Sequence, residues 1–187
     1  QIKINDDLGR GSAKKIRLEI FDRTVFRFPF LPIYLSEDLQ NNPKRHSRFL
    51  DPSISYSSDG FDFTLPYKKI LSDNSDLIIG PRAIAKRGNG FEFQLSLDND
   101  KNIFDANLIY LNSDKEFDKR YPNHKNIGGQ RWGYEIKSSS DLQLGILNVN
   151  WADFSDFHFF RDVPGESVNL NFQRKEYFEQ SISFQGN

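Results

Sequence analysis

The sequence predicts an all-β chain: the first strands of a large antiparallel transmembrane β-barrel, preceded by part of a smaller β-domain. Three observations carry this. The 187 residues include 18 Phe, 7 Tyr and 2 Trp, yet the mean hydropathy is -0.65, the balance expected of strands with one apolar and one polar face. Apolar residues recur at every second position over most of the chain. The connections between these segments are short at one end of the strands and long at the other, as in outer-membrane barrels.

Composition narrows the function. Net charge is -1, from 25 Lys+Arg and 26 Asp+Glu, so bulk charge makes no case for nucleic acid. No apolar run is long enough for a transmembrane helix, which needs about 18 residues or more, whereas a transmembrane strand needs only about 9–11 alternating ones. Cysteine is absent, so no disulfide or thiolate metal site is expected. The chain starts at Gln1 and has no Met; a processed product or a fragment of a longer reading frame is expected.

Taken in order, residues 1–15 read as a polar loop or strand connection with a turn at Gly9-Arg10-Gly11-Ser12. That turn lacks the strand, helix and Lys-Ser/Thr setting of a phosphate loop. Ile16, Leu18 and Ile20 alternate with polar residues; after an Asp22-Arg23 turn come Val25, Phe26, Phe28 and Phe30. These predict two strands ended by Pro29 and Pro32. Residues Ser36 to Ser47, with Pro43, Lys44, Arg45 and His46, read as a linker, so the expected domains are 1–47 and 48–187.

The stretch from Phe49 to Tyr67 predicts a hairpin around Ser57-Ser58-Asp59-Gly60 with one proline in each arm, Pro52 and Pro66. Proline has no N–H for a ladder, so two at one end of a hairpin predict a weakened sheet edge. Leu77 to Ile84 is expected as a strand interrupted by Gly80-Pro81. Further alternating strands follow around Phe91–Leu97, Phe104–Tyr110, Trp132–Ile136, Leu147–Trp151, Val168–Phe172 and Phe178–Phe184. The short connections are expected at Asp98–Asn102, Ser138–Asp141 and Arg174–Glu176, the long ones at Asn112–Gly129 and Ala152–Glu166. The polar face carries Asp62, Glu92, Gln94, Asn107, Glu135, Lys137, Asn150, Asn169 and Asn171; it is too hydrophilic for a packed interior and suits a water-filled lumen.

No constellation for catalysis stands out. His46, His124 and His158 lie in separate loops without ligand spacing. Asp153, Asp156 and Asp162 share an acidic, aromatic loop with Phe154, Phe157, Phe159 and Phe160, but spacing alone fixes no acid–base pair or cation site. No Gly-x-Ser-x-Gly motif occurs, no ATP site is visible, and neither an enzyme nor a cofactor is expected.

Several segments resemble one family. Leu31-Pro32-Ile33-Tyr34 with Arg45 to Pro52, then Phe63-Thr64-Leu65-Pro66-Tyr67, Lys86-Arg87-Gly88-Asn89, Gln130-Arg131-Trp132, Asn148-Val149-Asn150-Trp151 and Phe159-Phe160-Arg161-Asp162 follow the order and spacing of the lipopolysaccharide-assembly outer-membrane protein family LptD (OstA, organic solvent tolerance protein). Arg48 departs from that pattern, which commonly has glycine there. The resemblance implies the end of a periplasmic β-jellyroll over 1–47 and the N-terminal strands of an outer-membrane barrel over 48–187. It also implies insertion of lipopolysaccharide into the outer leaflet, an LptE-type plug lipoprotein in the lumen, and delivery by a periplasmic bridge protein. On that reading Pro52 and Pro66 mark a lateral gate, and Leu18, Ile20, Val25, Phe26, Phe28 and Phe30 line a groove for acyl chains. Two alternatives stay open at this point: a soluble β-sandwich that binds carbohydrate, and another outer-membrane porin or transporter.

Overall fold

The computed structural model describes residues 2–5, 10–20, 23–34, 47–127, 129–165 and 180–186. The chain divides into two compact units, Gln1–Arg48 and Phe49–Asn187. In the first, β1 (Ile2–Asn5), β2 (Arg10–Ile20) and β3 (Arg23–Tyr34) form an antiparallel sheet in the order β1-β2-β3. The turn expected at Gly9–Ser12 is corrected: Arg10 lies opposite Asn5 and Ala13 opposite Ile2, so residues 10–13 are ladder. Pro29 and Pro32 do not end their strand either. Among the described residues β3 is the outer strand of this sheet, where a missing N–H can face away from the ladder.

The six groove candidates all fall on this sheet's second hairpin. Leu18 is opposite Phe26, Ile20 opposite Arg23, Phe28 opposite Ile16 and Phe30 opposite Lys14, with a register shift between Leu18 and Glu19 that also covers the neighbourhood of Val25. Their side chains lie outside the described part of the structure, as does most of the expected linker.

Among the described residues the second unit is a ten-stranded antiparallel sheet. Its strands are β4 (Arg48–Phe49), β5 (Ser53–Ser57), β6 (Gly60–Thr64), β7 (Tyr67–Ser72), β8 (Ser75–Ile84), β9 (Gly88–Asp98), β10 (Asn102–Leu111), β11 (Arg131–Leu142), β12 (Gly145–Phe154) and β13 (Ser181–Gly186). The order is β13-β12-β11-β10-β9-β8-β6-β5, with β7 also on β8. One edge of β8 thus carries β7 along its first half and β6 along its second.

Three expectations about this sheet are corrected. Gly80-Pro81 does not interrupt β8, which pairs with β9 without a break from Ser75 to Ile84. Ser138–Asp141 is not a turn: the ladder between β11 and β12 continues to Leu142 opposite Gly145, and a tight turn at Gln143-Leu144 closes it. Gly145 has φ 147, which glycine adopts without a side-chain clash. The second long connection begins at Ser155, because β12 runs to Phe154. The strand expected over 168–172, the turn at Arg174–Glu176 and Phe178 lie outside the described residues.

Register assigns the faces. Asp76, Ser96, Asp105, Lys137, Asn150 and Ser181 line up across six strands, and one position along, Leu77, Leu95, Ala106, Ile136 and Trp151 form an apolar row on the opposite face. On the apolar face Ile54, Tyr56, Ile79, Trp151, Ile182 and Phe184 are exposed. The buried core lies on the other face, at the end carrying the long loops: Ile84, Ile109, Leu111 and Ala152 of the strands pack with Phe159, Phe160 and Val163. Two one-turn helices hold the loops in place, α1 (Phe117–Arg120) and α2 (Phe159–Asp162), with a 3-10 segment over Pro122–Ile127.

Candidate functional site

The first hairpin departs most from a regular ladder. Its tip is as the sequence reads, with Ser57 opposite Gly60 and Ser53 opposite Thr64. Below Ser53, Leu50 N–H donates to the Pro66 carbonyl at 2.9 Å. Three steps along the first arm therefore match two along the second, which places a bulge at Asp51-Pro52. In the second arm Leu65 N–H donates to the Pro81 carbonyl of β8 at 3.1 Å, and the register on β8 is kept, Thr64 opposite Arg82 and Tyr67 opposite Ile79.

In an antiparallel ladder each hydrogen-bonded pair, which alternates with a non-bonded one, exchanges two bonds. Pro66 cannot return the bond to Leu50, and Pro81 cannot return one to Leu65, because neither has an N–H. Pro52, Pro66 and Pro81 thus form a line of interrupted pairing across three adjacent strands. Phe49 packs edge-on against Tyr67 below this line, centroids 4.9 Å apart, and Tyr56 against Phe61 above it, 5.0 Å apart. Among the described residues β5 has β6 as its sheet neighbour and ends the sheet on that side.

Asp62, Glu92, Gln94, Asn107, Glu135, Lys137 and Asn150 all fall on the polar face by register; Asn169 and Asn171 lie outside the described residues. The structure joins two of them through a residue that the sequence reading missed. Arg82, 2% exposed, binds Asp62 at 2.9 Å through Nε and Glu92 at 2.8 Å through Nη1, and donates to the Pro164 carbonyl of the last loop. Gln94 and Asp105 are linked through the Ser96 hydroxyl, and Lys137 pairs with Glu135 at 2.9 Å.

Above these lies a second cluster that the sequence reading missed. Arg87, in the turn between β8 and β9, binds Asp59 at the tip of the first hairpin (2.9 Å) and Asp114 in the 112–130 loop (2.6 Å). Arg131 binds the same Asp114 oxygen (2.6 Å), Asp162 (3.2 Å) and, through two nitrogens, Asp156 (2.8 and 2.9 Å). Its guanidinium also lies over the ring of Phe117, 4.5 Å from the centroid. Arg120 of α1 is the second partner of Asp59.

Burial would lower the Arg87 pKa, but the hydrogen bond it donates to Asp59 and the charge of Asp114 outweigh it and hold it above its ordinary value. Burial would likewise raise that of Asp156, yet the Arg131 hydrogen bond and charge, with Ser155 and the His158 N–H, bring it below the usual carboxylate range. The signal available in sequence was weak: arginines next to glycine-rich turns, with aspartates far away in the chain.

The remaining candidates sort as follows. Asp156 and Asp162 are arginine partners, whereas Asp153 lies on the apolar face and accepts the N–H of Phe154. Phe159 and Phe160 are buried, while Phe157 is 86% exposed. His124 and His158, expected apart, converge with ring centroids 6.0 Å apart, and Tyr121 stacks on His158 at 3.9 Å. Among the described residues no group of three or more His, Cys, Asp and Glu side chains is placed to hold a metal ion. His46 lies outside the described residues.

No protein-family model matches the chain. It is similar to the LPS-assembly protein LptD of Pseudomonas aeruginosa (strain LESB58), 32% identical over 164 residues that cover 87% of this chain and 17% of that protein. It is 30% identical to the LPS-assembly protein LptD of Legionella pneumophila (strain Lens), over 183 residues that cover 90% of this chain and 20% of that protein. A protein of the same name from Pseudomonas putida (strain F1) is 30% identical over 99% of this chain and 19% of its own length. The chain belongs to the LptD family.

It spans about one fifth of the length of these LptD relatives. In this LptD-family segment four of the stretches that carried the resemblance fall at irregular places in the sheet, whereas Asn148 to Trp151 lie within the regular ladder of β12. Phe63 to Tyr67 cross the proline break, Lys86 to Asn89 form the turn around Arg87, Gln130 to Trp132 start β11 at Arg131, and Phe159 to Asp162 form α2.

Proposed function

We propose that this chain takes part in assembling lipopolysaccharide at the outer membrane, supplying the first strands of a β-barrel whose lipid cargo leaves sideways at the first hairpin. The observation that carries the reading is the line of one-bond pairs at Leu50–Pro66 and Leu65–Pro81, next to the strand that ends the sheet. An amphiphile leaves a barrel laterally only if a seam opens, and each missing ladder bond lowers that cost by about 0.5–1.5 kcal/mol. Pro52 and Pro66 are the gate residues in this account. The curated relatives are named LPS-assembly protein LptD.

The rest of the chain fits the same path. Residues 1–47 form the end of a periplasmic jellyroll, where Leu18, Ile20, Val25, Phe26, Phe28 and Phe30 hold acyl chains; residues 48–187 are the start of the barrel. The polar face, on which Asp62, Gln94 and Asn150 are partly exposed and Glu92, Asn107 and Glu135 are buried, turns toward a lumen that takes the sugars and an LptE-type plug lipoprotein, and a periplasmic bridge protein delivers the lipid. A soluble sandwich would bury its apolar face, whereas here Ile54, Tyr56, Ile79 and Ile182 stand exposed on it, which supports a lipid-facing surface.

The test uses the full-length protein. Pro66→Ala together with Pro52→Ala should leave the barrel level unchanged and lower lipopolysaccharide at the cell surface, with greater sensitivity to large hydrophobic antibiotics. Normal surface lipopolysaccharide at matched barrel levels would remove the lateral-exit reading.

A further inference from the structure

We infer that Asp59 is a latch that locks the first hairpin to the outer loops, so that the hairpin swings about its proline breaks only when those loops release it. This rests on the reading of that edge as an exit, and it concerns what controls the opening rather than what passes through.

The argument starts from leverage. Above the breaks, β6 is joined to β8 by three residue pairs, extended by the bonds Ala85 N–H to Phe61 and Lys86 N–H to Asp59. Below them stand the one-bond pairs already described. Asp59 sits at the far end of this arm, about 15 Å from the breaks at about 3.3 Å per residue. A tilt of about 5° moves such a tip by more than about 1 Å, enough to take a bond near 2.9 Å out of hydrogen-bonding range. The tip is therefore where a small number of bonds can hold the whole arm.

Those bonds come from the β8–β9 turn, through Lys86 and Arg87, and from the 112–130 loop, through Arg120. Both carboxylate oxygens of Asp59 are engaged, one by Arg87 and one by Arg120 of α1. Arg87 passes the connection to Asp114, Asp114 to Arg131, and Arg131 to Asp156 and Asp162, so a chain of alternating charges ties the hairpin tip to both long loops. The Arg87 guanidinium has no exposure, and its Nη2 is buried without a hydrogen-bond partner. Releasing Asp59 therefore leaves a buried cation with still fewer partners, a costly state unless the loops move as well. On the inner side the tip has room: a cavity of about 380 Å³ lies between Ser55, Ser57 and Asp62 of the hairpin and Arg120, Arg161 and Pro164 of the loops.

The test is amide hydrogen exchange on the full-length protein, comparing wild type with Asp59→Asn and Arg120→Gln. Arg120 is 35% exposed at its side chain, so its removal is the gentler change and decides alone if Asp59→Asn does not accumulate as folded barrel. Asp59→Asn should raise exchange over residues 53–64 by about tenfold or more and Arg120→Gln by about two- to fivefold, while residues 91–97 keep wild-type protection. Wild-type exchange over 53–64 in a folded variant would overturn the latch, as would loosening confined to the loops. Surface lipopolysaccharide separates the two readings: faster exchange with unaltered delivery keeps the latch and removes the lateral exit, whereas unaltered exchange removes the latch whatever the delivery.

Discussion

Leu50 gives its N–H to the carbonyl of Pro66 at 2.9 Å and receives nothing from Pro66 in return. A residue with an N–H at position 66 would complete the pair, and the same holds for position 81 opposite Leu65. Pro66→Ala and Pro81→Ala should each stabilise the folded barrel by about 0.5–1.5 kcal/mol, read as a higher urea midpoint. Pro52→Ala acts at the bulge and should change the midpoint little. Equal shifts from all three would show that the effect is backbone stiffness and not the missing bond.

The two faces of the sheet should respond oppositely to charge. Leu95→Arg or Leu108→Arg should cost about 2–4 kcal/mol of folding stability in lipid vesicles if the position lies near the bilayer midplane. Gln94→Arg, one residue along on the polar face, should be mild. Similar costs at both positions would contradict the assignment of faces to lipid and lumen.

Gly133 of β11 is where the last loop rests on the sheet. A Cβ at this position would stand 2.8 Å from Cε1 of Phe160 and 2.9 Å from Cδ1 of Phe159, closer than packed carbons approach. Gly133→Ala should therefore displace α2 at a cost of about 1–3 kcal/mol. Limited proteolysis would show faster cleavage within residues 155–165, with the strands unaffected.

Acid should release the same loop. The Asp156 pKa lies below its unfolded value of about 3.9, so its contribution is fully present above that value and is lost as pH falls through the lower folded value. Protease resistance of residues 155–163 should hold from about pH 5 to 8 and fall below about pH 4. Asp156→Asn should be cleaved faster at neutral pH and show less additional loss in acid. A wild-type profile in that variant would place the acid sensitivity elsewhere.

The two long loops and the ends of the strands imply a sidedness. With cysteine placed singly at Asp118 and at Gln143, both exposed, a membrane-impermeant reagent should label intact cells only at the former. Labelling at both would defeat the barrel orientation.

The alternating pattern alone determined that Phe93, Leu95, Leu108 and Ile136 share one face and Gln94, Asn107 and Glu135 the other, because a strand's side-chain period of two is a local property. It also located the first hairpin and its prolines. It could not decide what the prolines do to pairing. Whether Pro29 ends a strand or sits on an edge, and whether Pro81 breaks β8 or merely withholds a bond from Leu65, depends on which neighbour lies on which side, and that is a matter of sheet order. The same limit hid the charged cluster. Arg87, Asp59, Asp114 and Arg131 come from four separate places in the chain, each unremarkable beside a turn, and only the packing of the loops over Ile84, Ile109 and Leu111 removes them from water and makes each the other's necessary partner.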